Sequence, residues 1–169
     1  MKTRHIALLG LLTAIALTIF MVEAQLPAPV PIPGVKLGLA NIVTVFTVFA
    51  VGPGAAAAVL AARIFLGAVF AGNFSTIFYS AAGGLLAILT SIGLRRVLSV
   101  RQIWAAGCLG AVAHSCGQMA AAVLIMGTPT VLLYLPVMIV ISIFTGLFTG
   151  LCAQFLINRG GERWKTILK

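Results

Sequence analysis

The chain has 169 residues, of which 62% are hydrophobic and 8% are charged, with a formal net charge of +9. A water-soluble domain of this size needs more polar surface, so the composition favours a lipid bilayer as the solvent. Aspartate is absent, and only Glu23 and Glu162 are acidic. This inventory argues against paired-carboxylate catalysis and against magnesium sites made from aspartate clusters.

Apolar runs recur along nearly the whole chain and predict six membrane-spanning helices, since about 20 apolar residues cross ~30 Å of hydrocarbon. Their approximate ranges are 6–22, 35–51, 55–71, 74–94, 103–126 and 131–157. The breaks between them contain proline, glycine, polar or basic residues. We therefore expect residues 1–169 to form a single integral membrane domain, an all-α polytopic bundle.

The first break, residues 23–41, is the most informative stretch of the chain. Four prolines at alternate positions between 27 and 33 cannot continue a helix and favour extended backbone. Yet this stiff connection carries a carboxylate, an ammonium and an amide, on Glu23, Lys36 and Asn41. We interpret it as a lid or recognition loop, with these three side chains at the entrance of a binding site.

The basic residues predict the orientation of the chain. With a cytoplasmic amino terminus, nine of the eleven Lys and Arg residues are cytoplasmic, and the exceptions are Lys36 and Arg63. The positive-inside rule thus predicts a multi-pass protein of the bacterial plasma membrane with both termini in the cytoplasm. Because the basic residues flank apolar runs, we expect no nucleic-acid partner. A competing interpretation is that the first run is a signal peptide cleaved near Ala24, which leaves five helices.

Arg63 lies near the middle of the third predicted span. An unpaired guanidinium there costs ~3 kcal/mol on insertion scales, so it must face protein, water or a ligand. The structural alternative is a hydrogen bond to backbone carbonyls or to Asn41. The functional alternative is a clamp for a carboxylate, a phosphate or a polar carbonyl of a substrate.

His114 and Gln118 are four residues apart in the fifth span and therefore project from one helix face. Small residues continue this face, so helix packing and ligand binding both remain open as its role. His5 at the terminus is the only other histidine, and the cysteines at 108, 116 and 152 form no Cys-x-x-Cys pair. We expect neither a metal site nor a cofactor.

Asn73 and Tyr79 belong to a polar group at the start of the fourth span. The predicted topology places them at the same end as Glu23, Lys36 and the turn at 127–130. Together they predict a polar rim above an apolar cavity, an arrangement typical of a site for an amphipathic ligand.

Two pairs of small residues, Gly10 with Ala14 and Gly146 with Gly150, have the spacing that lets helices approach closely. Internal packing is the default interpretation of both pairs. The alternative is that each pair forms an interface with a partner protein.

Several of these residues match the pattern of a known family. The motif runs from Glu23 through Pro-Ile-Pro-Gly-Val-Lys-Leu-Gly-Leu-Ala-Asn-Ile-Val-Thr, ending at residue 44. The further matches are Arg63, Gly72-Asn-Phe-Ser75, Tyr79-Ser80, Gly83-Gly84, Gly110-Ala-Val-Ala-His114 and Gly117-Gln118. Over residues 6–157 the chain resembles the Gx transporter family, also labelled heptaprenyl diphosphate synthase component I. The family pattern has Asn where this chain has Ser115.

That family is similar to the substrate-binding S components of energy-coupling-factor transporters. The resemblance implies an S-component-like bundle of six helices with a substrate site near the outer side. It also implies that Gly10 and Ala14 contact a transmembrane coupling subunit, which docks two cytoplasmic ATPases. The chain has no Gly-x-x-x-x-Gly-Lys-Ser/Thr loop, so ATP hydrolysis would come from those partners.

The synthase label implies a different role. Prenyl diphosphate synthases bind magnesium diphosphate through aspartate-rich motifs, which this chain lacks, so we expect it not to be an enzyme. Our first hypothesis is a membrane substrate-binding or transport protein for a small amphipathic molecule, either vitamin-like or a quinone or isoprenoid precursor. The alternative is a non-catalytic membrane subunit of a prenyl diphosphate synthase or an isoprenoid- or quinone-linked electron-transfer system.

Overall fold

A computed structural model describes residues 3–27 and 35–168, with side chains described as far as residue 160. These residues form only helices, turns and short connections, which confirms the predicted all-α class. The six α-helices are α1 (Thr3–Glu23), α2 (Asn41–Ala50), α3 (Pro53–Ala71), α4 (Thr76–Arg95), α5 (Ile103–Met126) and α6 (Leu135–Leu168). Short 3-10 turns, Val100–Gln102 and Pro129–Tyr134, precede α5 and α6. The predicted lid prolines 29, 31 and 33 lie outside the described residues.

All the α-helices except α2 are long and apolar enough to cross a membrane. Their outward surfaces carry large apolar side chains, such as Phe144, Phe148 and Phe155 on α6. Arg63, His114 and other polar side chains are buried instead. Apolar groups outside and polar groups inside suit a hydrocarbon solvent, so the chain is a polytopic membrane bundle.

Helix α2 differs from its prediction, which began at Val35. The helix has ten residues, so it rises ~15 Å, about half of the hydrocarbon thickness. Residues 35–38 have no regular secondary structure, and residues 39–40 form a turn. Gly38 adopts φ +80° there, in the left-handed region that an α-helix does not use. The second predicted span is therefore a half-length helix preceded by non-helical backbone.

The short α2 lies at the centre of the bundle. It contacts each of the other five helices. Seven of its ten residues are buried: Asn41, Val43, Thr44, Val45, Phe46, Thr47 and Val48. This burial surrounds a helix that is too short to span the bilayer with protein. It also places the start of α2 in the interior of the bundle.

Helices α5 and α6 approach each other through glycines. A Cβ atom added to Gly146 would lie 2.7 Å from the Cα of Cys108 and 2.7 Å from the carbonyl oxygen of Gly107. A Cβ added to Gly150 would lie 2.7 Å from the carbonyl oxygen of Trp104. Contacts this close leave no room for side chains. Gly146 and Gly150 thus face α5, in agreement with the default interpretation of internal packing, and this face is occupied within the chain rather than open to a partner protein.

The small residues of α1 are placed differently. Helix α1 packs mainly against α3, while Gly10 and Ala14 are exposed. Apart from the backbone of its own helix and its chain neighbours, no described heavy atom lies within 4 Å of the position where a Cβ of Gly10 would be. This face of α1 is uncovered within the described chain, and its contact with a partner protein stays a prediction.

The alternation of the helices brings the ends of α1, α3 and α5 together with the starts of α2, α4 and α6. We call this the Glu23 end of the bundle. A buried apolar cluster there joins Val35, Tyr79, Met119 and Met138 from different parts of the chain. The opposite end carries the basic residues Arg4, Arg95, Arg96, Arg101 and Arg159.

Candidate ligand-binding site

Polar side chains gather inside the bundle between α1, α3, α5 and the start of α2. We define this polar cluster as Glu23, Lys36, Asn41, Arg63 and His114. Four of the five side chains are at most 4% exposed, and Lys36 is half-buried. Gln118, 1% exposed, lies one turn beyond His114 on the same helix. Burial of so many polar groups among apolar helices indicates a role beyond packing.

Gly38 is the point at which these elements meet. Its backbone N–H donates a hydrogen bond to Oε1 of Glu23, with the two atoms 2.5 Å apart. A Cβ atom on Gly38 would lie 3.0 Å from Cδ2 of His114 and 3.1 Å from Nδ2 of Asn41. Because His114 is near the midpoint of α5, non-helical backbone reaches the middle of a membrane-spanning helix. Such backbone is tolerated at this depth only when protein encloses it.

Phe20 lies beneath the two cations of the cluster. Nζ of Lys36 is 3.5 Å from the centroid of its ring, and Cζ of Arg63 is 5.9 Å from it. Gly67 provides room for the ring, since a Cβ there would lie 2.8 Å from Cε1 of Phe20. The aromatic face thus contributes cation–π attraction to both cations, and the Glu23 carboxylate also attracts them.

The imidazole of His114 lies directly against α4. A Cβ on Gly83 would be 2.8 Å from Nδ1 and 2.8 Å from Cε1 of His114. One turn further along α5, a Cβ on Gly117 would be 2.5 Å from the carbonyl oxygen of Ala82. These glycines allow α4 and α5 to close around the ring, so the position of His114 depends on the absence of side chains at its neighbours.

Several buried polar atoms of this region have no hydrogen-bond partner within the described protein. They are Nε and Nη2 of Arg63, Oδ1 and Nδ2 of Asn41, Nδ1 of His114 and Oε1 of Gln118. The hydrogen bond between Arg63 and Asn41, considered from the sequence, is therefore not formed. An unsatisfied buried donor or acceptor costs ~1–3 kcal/mol, so a group that satisfies several of them at once would bind favourably.

Asn73 and Tyr79, also predicted from the sequence to bind the substrate, make other contacts in the structure. Asn73 is exposed, and its Oδ1 accepts hydrogen bonds from the backbone N of Ser75 at 3.1 Å and from the Ser75 hydroxyl at 2.6 Å. This arrangement is an Asx turn immediately before α4. Tyr79 is buried in the apolar cluster with Val35 and Met119.

The polar rim above an apolar cavity stays a prediction, and the three grooves known on the described surface are apolar. One groove of about 410 Å³ runs between α1, α2 and α6 and is lined by apolar residues such as Leu8, Ile42 and Phe46. Two others lie on α6 and between α3 and α4. No residue of the polar cluster lines any of these three, which are suited to lipid chains.

Metal-ligand geometry is not found in the described part of the chain, where no three His, Cys, Asp or Glu side chains come together. The three cysteines are free and half-buried. The residues missed by sequence reasoning are Phe20 and Gly38, whose roles depend on neighbours far away in the chain. The sequence signals for Gly38 are its position two residues after Lys36 and its place in the motif that matches the family pattern.

Comparison with known proteins assigns the family. The family model described as heptaprenyl diphosphate synthase component I matches residues 12–156. No curated protein matches the chain. No solved structure matches it either. The matched range contains α2 to α5 and every residue of the polar cluster. The chain therefore belongs to the heptaprenyl diphosphate synthase component I family.

Proposed function

We propose that this membrane protein binds a small amphipathic molecule at the polar cluster and takes part in its transport. The observation that carries the proposal is the set of buried, unpartnered polar atoms on Arg63, Asn41 and His114. A half-length helix preceded by non-helical backbone supports it, because interrupted helices line the substrate sites of many membrane transporters. Quinone or isoprenoid precursors and vitamin-like compounds are the candidate ligands.

The distribution of basic residues supports an orientation for this activity. Arg4, Arg95, Arg96, Arg101 and Arg159 are at the end opposite Glu23. The positive-inside rule then puts that end in the cytoplasm of the plasma membrane and the Glu23 end outside. The ligand would enter from the outer side, and ATPase partners would act from the inner side, with Gly10 and Ala14 facing their membrane subunit.

A second candidate function is that of a non-catalytic membrane subunit in isoprenoid or quinone metabolism. The description of the family favours it. In this role the open face of α1 would hold a synthase or redox partner, and the polar cluster would be structural. In both roles we propose that the chain itself is not a catalyst, because it contains two carboxylates and no aspartate.

Native mass spectrometry of the complex extracted in a mild detergent tests both candidates. A co-purified small molecule together with ATPases would support transport, whereas a prenyltransferase or a redox protein without a small molecule would support the second role. Cellular uptake of the identified molecule should fall at least tenfold in Arg63→Ala and remain normal in Arg101→Ala, which removes an exposed arginine at the opposite end. Normal uptake in Arg63→Ala would refute transport through the polar cluster.

A further inference from the structure

The guanidinium of Arg63 has one unpartnered edge inside the protein. Its Nε and Nη2 atoms are buried and have no hydrogen-bond partner among the described residues, and the residue is 3% exposed. These two nitrogens form one side of the planar group and direct parallel N–H bonds away from it. That geometry matches two oxygen atoms of one carboxylate or phosphate, the usual bidentate partner of arginine.

The charges around this edge favour an anion. Lys36 and Arg63 provide two positive charges, and Glu23 is the only acidic residue whose side chain the structure describes. One oxygen of Glu23 is already engaged by the backbone N–H of Gly38 at 2.5 Å. Two cations and one carboxylate leave an excess of one positive charge, which is costly in a low-dielectric interior.

Neutral polar groups surround the charged ones. Asn41 has an unpartnered amide donor and an unpartnered acceptor, and Gln118 has an unpartnered acceptor. His114 contributes Nδ1, which donates or accepts according to the position of its proton. These groups could satisfy the remaining oxygen of an anion together with a hydroxyl or N–H group on the same ligand.

We infer that the polar cluster recognises an oxyanion, the carboxylate or phosphate group of its ligand, on the Nε–Nη2 edge of Arg63. Lys36 supplies the second positive charge. A neutral carbonyl would fit less well, because it carries no charge and presents one oxygen to two donors. The inference rests on the proposed function. Of the three ligand groups considered from the sequence, it retains the carboxylate and the phosphate and sets aside the neutral carbonyl.

Matched probes test this inference on the full-length protein in a neutral detergent. Dodecanoate and dodecyl phosphate carry the proposed group, dodecanol is their uncharged counterpart, and inorganic phosphate lacks the chain. We expect both anionic amphiphiles to raise the unfolding temperature by about 3 °C or more near saturation, and dodecanol to have little effect. A shift with inorganic phosphate equal to that with dodecyl phosphate would support the oxyanion and identify a free anion as its source.

Substitutions at Arg63 and Lys36 test whether these two side chains cause the binding of the anions. Arg63→Lys keeps the charge but loses the paired donors, so we expect affinity for both anions to fall at least tenfold. Lys36→Gln, at a half-buried position, should lower the affinity for both anions several-fold. This variant is informative even if Arg63→Lys does not fold. Arg101→Gln removes one exposed charge at the opposite end and should bind like the wild type.

Two results would overturn the inference, and they are distinguishable. The first result is that dodecanol binds as well as the anions, or that Lys36→Gln and every folded Arg63 variant retain anion binding. Recognition of an oxyanion by Arg63 would then be refuted, while binding of an amphiphile would remain supported. If no probe shifts the wild type and no molecule co-purifies with it, both the inference and the proposed function fail.

Discussion

Oε1 of Glu23 accepts a hydrogen bond from the backbone N–H of Gly38 at 2.5 Å, which joins the end of α1 to the segment before α2. Residues 35–40 are not helical, although Gly38 lies beside His114 at the midpoint of α5. Within hydrocarbon, protein groups must satisfy such backbone. Glu23 satisfies Gly38 and also attracts Lys36 and Arg63, so a single carboxylate stabilises both the loop and the charged cluster.

Replacing Glu23 should therefore destabilise the protein in a graded way. Glu23→Ala leaves the Gly38 N–H buried without an acceptor, at a cost of ~1–3 kcal/mol. Glu23→Gln keeps an acceptor oxygen and loses only the charge, so we expect a smaller effect. Thermal unfolding in detergent measures whether Glu23→Ala lowers the unfolding temperature more than Glu23→Gln does. Gln25→Ala, an exposed neighbour, should unfold like the wild type, and a Glu23→Ala protein as stable as this control would contradict the prediction.

Gly38→Ala should lower stability and disturb the polar cluster. The substitution puts a Cβ on backbone at φ +80°, a strain of ~1–2 kcal/mol, and crowds His114 at 3.0 Å. Gly127→Ala is the matched control, because it has φ +64° with no heavy atom within 4 Å of the added Cβ. Thermal unfolding of both variants separates backbone strain from crowding. Equal decreases in unfolding temperature for the two variants would show that crowding of His114 adds nothing to the destabilisation by backbone strain.

Gly83→Ala should displace His114, since the new Cβ would lie 2.8 Å from Nδ1 and from the His114 carbonyl oxygen. Gly84→Ala is an adjacent control whose Cβ meets only the flexible end of Leu60, at 2.9 Å. We expect the first variant to reduce affinity for the co-purified ligand at least tenfold and the second to retain it. Isothermal titration of the two purified proteins makes the comparison, and similar affinities would exclude a role for the His114 position.

Gly146→Ala should destabilise the bundle, because its Cβ would lie 2.7 Å from backbone atoms of α5 that cannot rotate away. A cost of ~1–3 kcal/mol is typical of overpacking. Gly10→Ala places the same methyl group in open space and should be neutral, or more stable by about 1 kcal/mol from helix propensity. Unfolding temperatures test the contrast. A Gly146→Ala protein as stable as Gly10→Ala would mean that α5 and α6 are less closely packed than described.

The open face of α1 provides a test of partner binding. Gly10→Leu and Ala14→Leu add bulk at exposed positions of α1, and the described chain leaves open space beside Gly10. We expect both variants to stay folded, with normal unfolding temperatures, and to lose a partner protein that docks on this face. Affinity purification from native membranes, followed by mass spectrometry, measures the retained partner. Leu11→Ala on the exposed surface of α1 is a control for altered lipid contact.

The polar residues illustrate how far sequence reasoning could reach. The sequence identifies Arg63 and His114 because polar groups are rare and costly in apolar helices. The structure places Arg63 beside Phe20 and His114 beside Gly38. Asn73 was grouped with them only because it shares an end of the bundle. Its side chain instead caps a local turn with Ser75. Topology predicts the end at which a residue lies, whereas the direction of its side chain depends on neighbouring helices.

The sequence by itself determined the membrane environment, the all-α class and the positions of the long helices, because hydrophobicity accumulates residue by residue along each run. Only the tertiary structure decided that α2 begins at Asn41, that Gly146 and Gly150 pack against α5, and that one edge of Arg63 has no partner among the described residues. Each of these depends on which atoms of distant segments occupy the same space. Local composition does not specify the partner in such contacts, because similar apolar helices can pack through many different faces.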